Sequence, residues 1–177
     1  MPKFIALLRG INVSGQKIIR MADLKKTFER LSYTDIQTYL QSGNVVFESS
    51  ASNPEKPAAA ISAAIKKEHG FDVDVLVLRS GELRKVFESN PLSINDEKWL
   101  YVTFLFTPVK TSDFGKITLP ARDGELAALH GRAIYLYCPF GYGTSKLNNN
   151  FFEKALAVSA TTRNWRTATA LIDLCNE

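Results

Sequence analysis

The apolar residues of the first ninety positions change their spacing in the order strand, helix, strand, strand, helix, strand, and few folds accommodate that order. It fits a four-stranded antiparallel sheet with both helices on one face, the ferredoxin-like arrangement. Phe4-Ile5-Ala6-Leu7-Leu8 is an unbroken apolar run ended by Arg9-Gly10, as a buried strand over residues 3–9 requires. Met21, Leu24, Phe28 and Leu31 then recur at helical spacing, with Asp23 in the first turn where the helix dipole favours an acid. Residues 35–41 alternate, with Ile36, Thr38 and Leu40 on one face and Gln37, Tyr39 and Gln41 on the other. Ser42-Gly43-Asn44 turns the chain into Val45-Val46-Phe47. Ala58, Ile61 and Ile65 line a second helix that follows Asn53-Pro54 and closes at Gly70, and residues 73–78 form the last strand.

A short helix with Leu83, Val86 and Phe87 facing inward is stopped by Asn90-Pro91, so a linker falls near residues 90–97. The second half opens with a strand from Trp99 to Phe106 and leaves residues 108–120 undefined. It continues with two strands about Gly131, a helix over 148–157, an extended piece at 160–163 and a final helix carrying Ala168, Leu171, Ile172 and Cys175 on one face. This is again close to β-α-β-β-α-β with an added helix. The expectation is an α+β chain of two ferredoxin-like-related halves with largely antiparallel sheets, residues 1–90 and 97–177, packed as one compact unit.

Composition narrows the partners more than the chemistry. There is no apolar run of membrane-spanning length, and the first strand meets Arg9 without a signal peptide's cleavage site, so the expected location is the cytoplasm, with no membrane partner. The formal charge of +4 comes without a basic run, so nucleic acid is permitted and not indicated. Cys138 and Cys175 lack any CxxC spacing and read as reduced thiols. His69 and His130 each sit beside a turn glycine, away from any cluster of metal-ligand spacing, so neither a metal nor a cofactor is expected.

The most site-like segment is residues 9–17, Arg-Gly-Ile-Asn-Val-Ser-Gly-Gln-Lys. Its paired glycines and lysine invite comparison with a phosphate-cradling P-loop, in which backbone N–H groups and a lysine hold the phosphates. Lys17, however, comes one residue late, Ile18 stands where a magnesium-binding Ser/Thr belongs, and the helix begins only near Met21. What survives is a loop in which Arg9, Asn12 and Lys17, with Arg20 beyond, can bind an anion; the plain alternative is an irregular turn that needs glycine. Two further polar stretches can join it. One is Gln41-Ser42-Gly43-Asn44, also good turn chemistry. The other is Ser145-Lys146-Leu147-Asn148-Asn149-Asn150, which equally reads as a helix cap. Thr161-Thr162-Arg163-Asn164-Trp165 offers a stacking surface for a planar ligand, or else a half-buried tryptophan anchoring the last helix with Thr161 or Thr162 as its cap.

Leu-Leu-Arg-Gly-Ile-Asn-Val-x-Gly at 7–15, Tyr-x-Gln-Ser-Gly-Asn-Val-Val-Phe at 39–47 and Thr-Thr-Arg-Asn-Trp at 161–165 together resemble the bacterial family catalogued as domain of unknown function 1697. Met21-Ala22-Asp23-Leu24 and Ser145-Lys146-Leu147-x-Asn149-x-Phe151-x-Glu153 fall where further motifs of that family lie. The resemblance implies an α+β fold of two related halves and carries over no catalytic residue. Ser14 departs from the family's glycine-like position, which strains a backbone needing positive φ there.

Three functions follow from these residues. The first is a binding module for a small phosphorylated or nucleotide-like anion, using Arg9, Asn12, Lys17, Gln41, Ser42, Asn44, Lys146, Arg163, Asn164 and Trp165. The second is a metal-free enzyme with Lys17 or Lys146 as base, which requires a desolvated lysine in a concave site. The third is an interaction or homodimerisation module built on an exposed sheet face or edge, with Tyr135, Tyr137, Phe140 and Tyr142 as contacts.

Overall fold

The computed structural model describes residues 1–176, and these divide into two compact units, Met1–Arg84 with residues 170–176, and Lys85–Thr169. The first begins β1 (Lys3–Leu8), α1 (Met21–Arg30), β2 (Thr34–Tyr39), β3 (Asn44–Glu48), α2 (Glu55–His69) and β4 (Val75–Arg79), then enters α3 (Ser80–Glu88). Its sheet runs β2-β3-β1-β4 and is antiparallel throughout. β1 lies inside it, with Ile5 facing Val46 on one side and Leu78 on the other. Phe4, Ile5, Ala6, Leu7 and Leu8 are all fully buried, so both faces of β1 are covered. That explains an unbroken apolar run in an antiparallel sheet, where alternation is the usual pattern.

α1 buries Leu24 and Phe28 and α2 buries Ile61 and Ile65 against Phe4, Ala6, Leu8, Val45 and Phe47. Phe28 and Phe47 meet edge to face at 5.2 Å, and each such buried ring contributes about 2 kcal/mol. Asn53 Oδ1 accepts from the Lys56 N–H at 3.2 Å to start α2, and Gly70 ends it in the left-handed conformation at φ 81°, as its sequence position predicts.

The second half repeats the order with β5 (Leu100–Leu105), α4 (Thr111–Lys116), β6 (Leu126–His130), β7 (Ala133–Tyr137), α5 (Asn149–Leu156) and β8 (Ala160–Asn164), followed by α6 (Trp165–Asn176). Its sheet runs β6-β7-β5-β8, again all antiparallel, so every strand occupies the place of its counterpart. The chain is therefore mixed α+β with the same strand topology twice. α4 fills the stretch left undefined in sequence; it is short, and Gly115 near its end weakens any helical signal. Leu105, Ile134, Leu136, Leu147 and Phe152 form the helix-side core of this unit. Among the described residues no helix is long and apolar enough to cross a membrane.

Candidate functional site

The connection between β1 and α1, residues 9–20, folds back on itself. The Asn12 N–H donates to the Lys17 carbonyl at 3.1 Å and the Gln16 N–H to the Val13 carbonyl at 2.9 Å, which makes residues 12–17 a miniature hairpin. Its central residues, Ser14 and Gly15, have φ of 51° and 71°, the paired positive values of a type I′ turn. Gly10, Asn12 and Lys17 are left-handed as well. Gly15 thus serves a tight turn, Gly10 lies outside it, and the Asn12 and Gln16 amides point inward to carbonyls. The resemblance to a phosphate-cradling loop ends at that geometry. Ser14 holds a conformation that disfavours a side chain by roughly 1 kcal/mol.

The side chain of Asn12 closes the loop and ties it to the β2–β3 turn. Its Nδ2 donates to the Ile19 carbonyl at 3.0 Å and to the Gln41 carbonyl at 2.7 Å, and its Oδ1 accepts from the Ile19 N–H at 2.9 Å. Alongside, the Leu8 N–H donates to the Gly43 carbonyl at 2.9 Å. Gly43 lies so close to the loop that a Cβ there would stand 2.8 Å from both Ile11 Cδ1 and Leu8 Cβ. Asn44 is buried and locks the turn, donating from Nδ2 to the Tyr39 carbonyl and to Ser42 Oγ, both at 2.8 Å. Two motifs separated by some thirty residues of sequence are therefore one structural element.

Cations and exposed aliphatics surround that element. Lys17 is half-buried and donates from Nζ to the Asp72 carbonyl at 2.7 Å, an acceptor that nothing in the sequence pointed to. Its ammonium has three donors, so that bond leaves two. Arg9 is half-buried, and its backbone N–H donates to the Asp74 carbonyl at 2.9 Å. The Arg20 side chain is 87% exposed, with Nε 3.4 Å from the Asp23 carboxylate. Gln41 and Ser42 are exposed. Val13, Ile18 and Leu40 also stand in solvent. Leu40 does not share a strand face with Ile36 as the alternation predicts: β2 ends at Tyr39, and Leu40 turns away at φ 58°.

In the second unit the polar motifs hold the fold together. Lys146 is exposed, while the buried Ser145 accepts at Oγ from the Leu147 N–H at 3.0 Å. Asn148 caps α5 through the Phe151 N–H at 2.9 Å. Asn149 and Glu153 clamp the start of β8: Asn149 Nδ2 donates to the Ala160 carbonyl at 2.9 Å, and Glu153 Oε2 accepts from the Ala160 N–H at 3.0 Å. Thr162 Oγ1 donates to Asn149 Oδ1 at 3.1 Å and lies 2.8 Å from Thr103 Oγ1. Arg163 is buried, donating to Thr161 Oγ1 at 2.8 Å and the Thr162 carbonyl at 3.0 Å; burial pushes its pKa down to about 10, which leaves it charged at neutral pH.

Asn164, rather than Thr161 or Thr162, caps α6, accepting from the Thr167 N–H at 2.7 Å. The two threonines belong to β8, where Thr161 faces the same way as Arg163. Trp165 is buried 4.3 Å from the Phe87 ring, so it anchors the helix and offers no open stacking face. Tyr135 is buried too, with its hydroxyl donating to the Val86 carbonyl at 2.5 Å and its pKa raised by burial to about 12. Tyr142 stacks on Tyr101 at 4.9 Å and accepts at its hydroxyl from the Asn149 N–H at 2.9 Å. Tyr137 is half-buried, and Phe140 projects into solvent.

The family model described as "Protein of unknown function (DUF1697)" matches residues 1–135, and the chain belongs to that family. No curated protein matches the sequence. Among solved structures, the conserved bacterial protein SP0830 from Streptococcus pneumoniae is similar over 98% of each chain, with a TM-score of 0.74 and 18% sequence identity. Identity at that level establishes a shared fold and no more.

Proposed function

We propose that this member of the DUF1697 family is a cytoplasmic binding module for a phosphorylated or nucleotide-like anion, and that the ligand sits on the face made by residues 9–20 and 41–44. The observation that carries this reading is the Asn12 clasp, which holds a loop bearing Arg9, Lys17 and Arg20 against the Gln41-Ser42 turn. Such a face binds through side-chain cations and amides, because the hairpin turns the Asn12 and Gln16 amides to its own carbonyls. The left-handed residues support it as well, since strained backbone persists where surrounding contacts over-determine it and gathers at ligand sites. A loop ordered before binding loses less entropy when the ligand arrives. Lys146 lies in the other unit, and Arg163, Asn164 and Trp165 have structural work of their own, so the reading rests on the first unit.

The test is a thermal-shift panel of inorganic phosphate, pyrophosphate, ATP, ribose 5-phosphate and a single-stranded oligonucleotide, because a ligand that binds the native state raises its melting temperature. A shift from at least one phosphate compound, lost in Lys17→Ala/Arg20→Ala and weakened by salt, is the expected result. Uniform absence of any shift defeats the reading.

A further inference from the structure

The strand order is the same in both units, yet their helix layers are filled differently. In the first, α1 has ten residues and α2 fifteen, and the two are tied together: Glu68 of α2 accepts from Thr27 Oγ1 at 2.6 Å and from Arg30 Nη1 at 2.8 Å, both on α1. Their counterparts in the second unit, α4 and α5, have only six and eight residues. α4 gives way to extended backbone at Ile117, and α5 stops at Ala157, which is left-handed at φ 53°. A helix rises about 1.5 Å per residue, so the shorter pair has roughly half the combined length of the longer one.

α4 and α5 meet at Phe114 and Phe152, whose rings lie 6.4 Å apart. Residues 108–117 and the end of α5, at 155–158, line a cleft of about 500 Å³. Clefts of about 300–1,000 Å³ hold small organic ligands. Val109, Ile117, Leu156 and Val158 supply its apolar lining, and each is half-buried, packed against the core that contains Leu105 and Phe152. Among the described residues no aromatic ring lines it, so it offers aliphatic contact rather than a stacking face.

The charged lining is Lys110, Asp113 and Lys116, all exposed. Lys116 Nζ lies 3.2 Å from Asp113 Oδ1, which offsets one positive charge, while among the described residues nothing bonds the Lys110 ammonium. One cation is therefore left over on the α4 side. The α5 side is the carbonyl end of a helix, whose partial negative charge disfavours an anion. We propose that the cleft binds a small amphiphilic monoanion, a carboxylate bearing an aliphatic chain, with the carboxylate on Lys110 and the chain along Ile117, Leu156 and Val158. A phosphate monoester carries nearly two negative charges, more than one unpaired lysine balances, and an alkylammonium meets Lys110 with like charge. The inference is independent of the anion-binding face of the first unit.

Two-dimensional amide NMR of the whole chain, titrated with butanoate, hexanoate and octanoate, tests it. Saturable shifts should map to residues 108–117 and 155–158, and affinity should rise with chain length, by about fourfold for each methylene that becomes fully buried. Octylamine should leave these residues unmoved, and octyl phosphate should bind more weakly than octanoate. Lys110→Ala should raise the octanoate dissociation constant about tenfold. Ala155→Trp, which fills the cleft from an exposed position, should abolish binding; if it loses native circular dichroism, Lys110→Glu takes its place and should abolish binding too. No saturable shift at these residues with octanoate overturns the proposal, as do shifts confined to residues 9–20. So do equal affinities for butanoate and octanoate, octylamine or octyl phosphate binding as tightly as octanoate, and a folded Lys110→Glu that binds as the wild type does.

Discussion

In the first unit the strand that leads into the first helix is followed by residues 9–20, a clasped hairpin with five left-handed residues; in the second, β5 reaches α4 through residues 106–110, a plain turn past Pro108. The strand order around them is identical. A conserved topology thus leaves the connections and helix lengths free to diverge, and the divergence separates a candidate ligand face in one half from a candidate amphiphile cleft in the other.

Glycine substitutions break this comparison most forcefully. At Gly43 in the β2–β3 turn, φ is 82° and a Cβ meets Ile11 and Leu8 at 2.8 Å, so Gly43→Ala should destabilise the chain by about 3 kcal/mol. Its counterpart Gly131, in the β6–β7 turn, has φ 59° and no atom within 4 Å of a Cβ, so Gly131→Ala should lose only about 1 kcal/mol. Urea denaturation of both variants measures the contrast, and equal losses would mean that the first turn is no more tightly built than the second.

Asn12→Ala comes next. It removes three hydrogen bonds and should lower stability by about 2 kcal/mol, with faster amide exchange confined to residues 9–20 and 39–44. The acid limb offers a smaller effect within the first unit. A hydrogen bond from Thr27 Oγ1 at 2.6 Å, aided by Arg30, holds the Glu68 carboxyl below its ordinary value. A depressed carboxyl stabilises the fold above its unfolded pKa, and that contribution disappears as pH falls through the folded value. Thr27→Val should therefore narrow the gap between neutral and acid stability, as melting temperature against pH reports. Smallest is Ser14→Gly, which relieves a left-handed side chain and should change stability by about 0.5 kcal/mol or less, since added chain entropy offsets the relief.

Period and punctuation made most of the fold legible. The run at residues 4–8, the helical spacing from Met21 to Phe28 and the C-terminal glycine at Gly70 each led directly to an element. Thr111–Lys116 escaped because a helix that short has no period to detect. The site was visible only as two polar motifs; that Asn12 joins them depends on a side chain reaching a carbonyl at Gln41, a contact no local pattern encodes. The Thr161-Thr162-Arg163-Asn164-Trp165 motif read either as a stacking surface or as an anchor for the last helix, because its hydrogen-bonding groups fit both; β8 and the α6 cap use those groups, and Trp165 is buried as the anchor reading expects.

The ligand face is most directly tested by two-dimensional amide NMR of the whole chain during titration with ATP and, separately, with a single-stranded oligonucleotide. Shift changes that saturate and map to residues 9–20 and 39–44, leaving 106–110 unmoved, are the predicted result. Saturable changes confined to the second unit would contradict it.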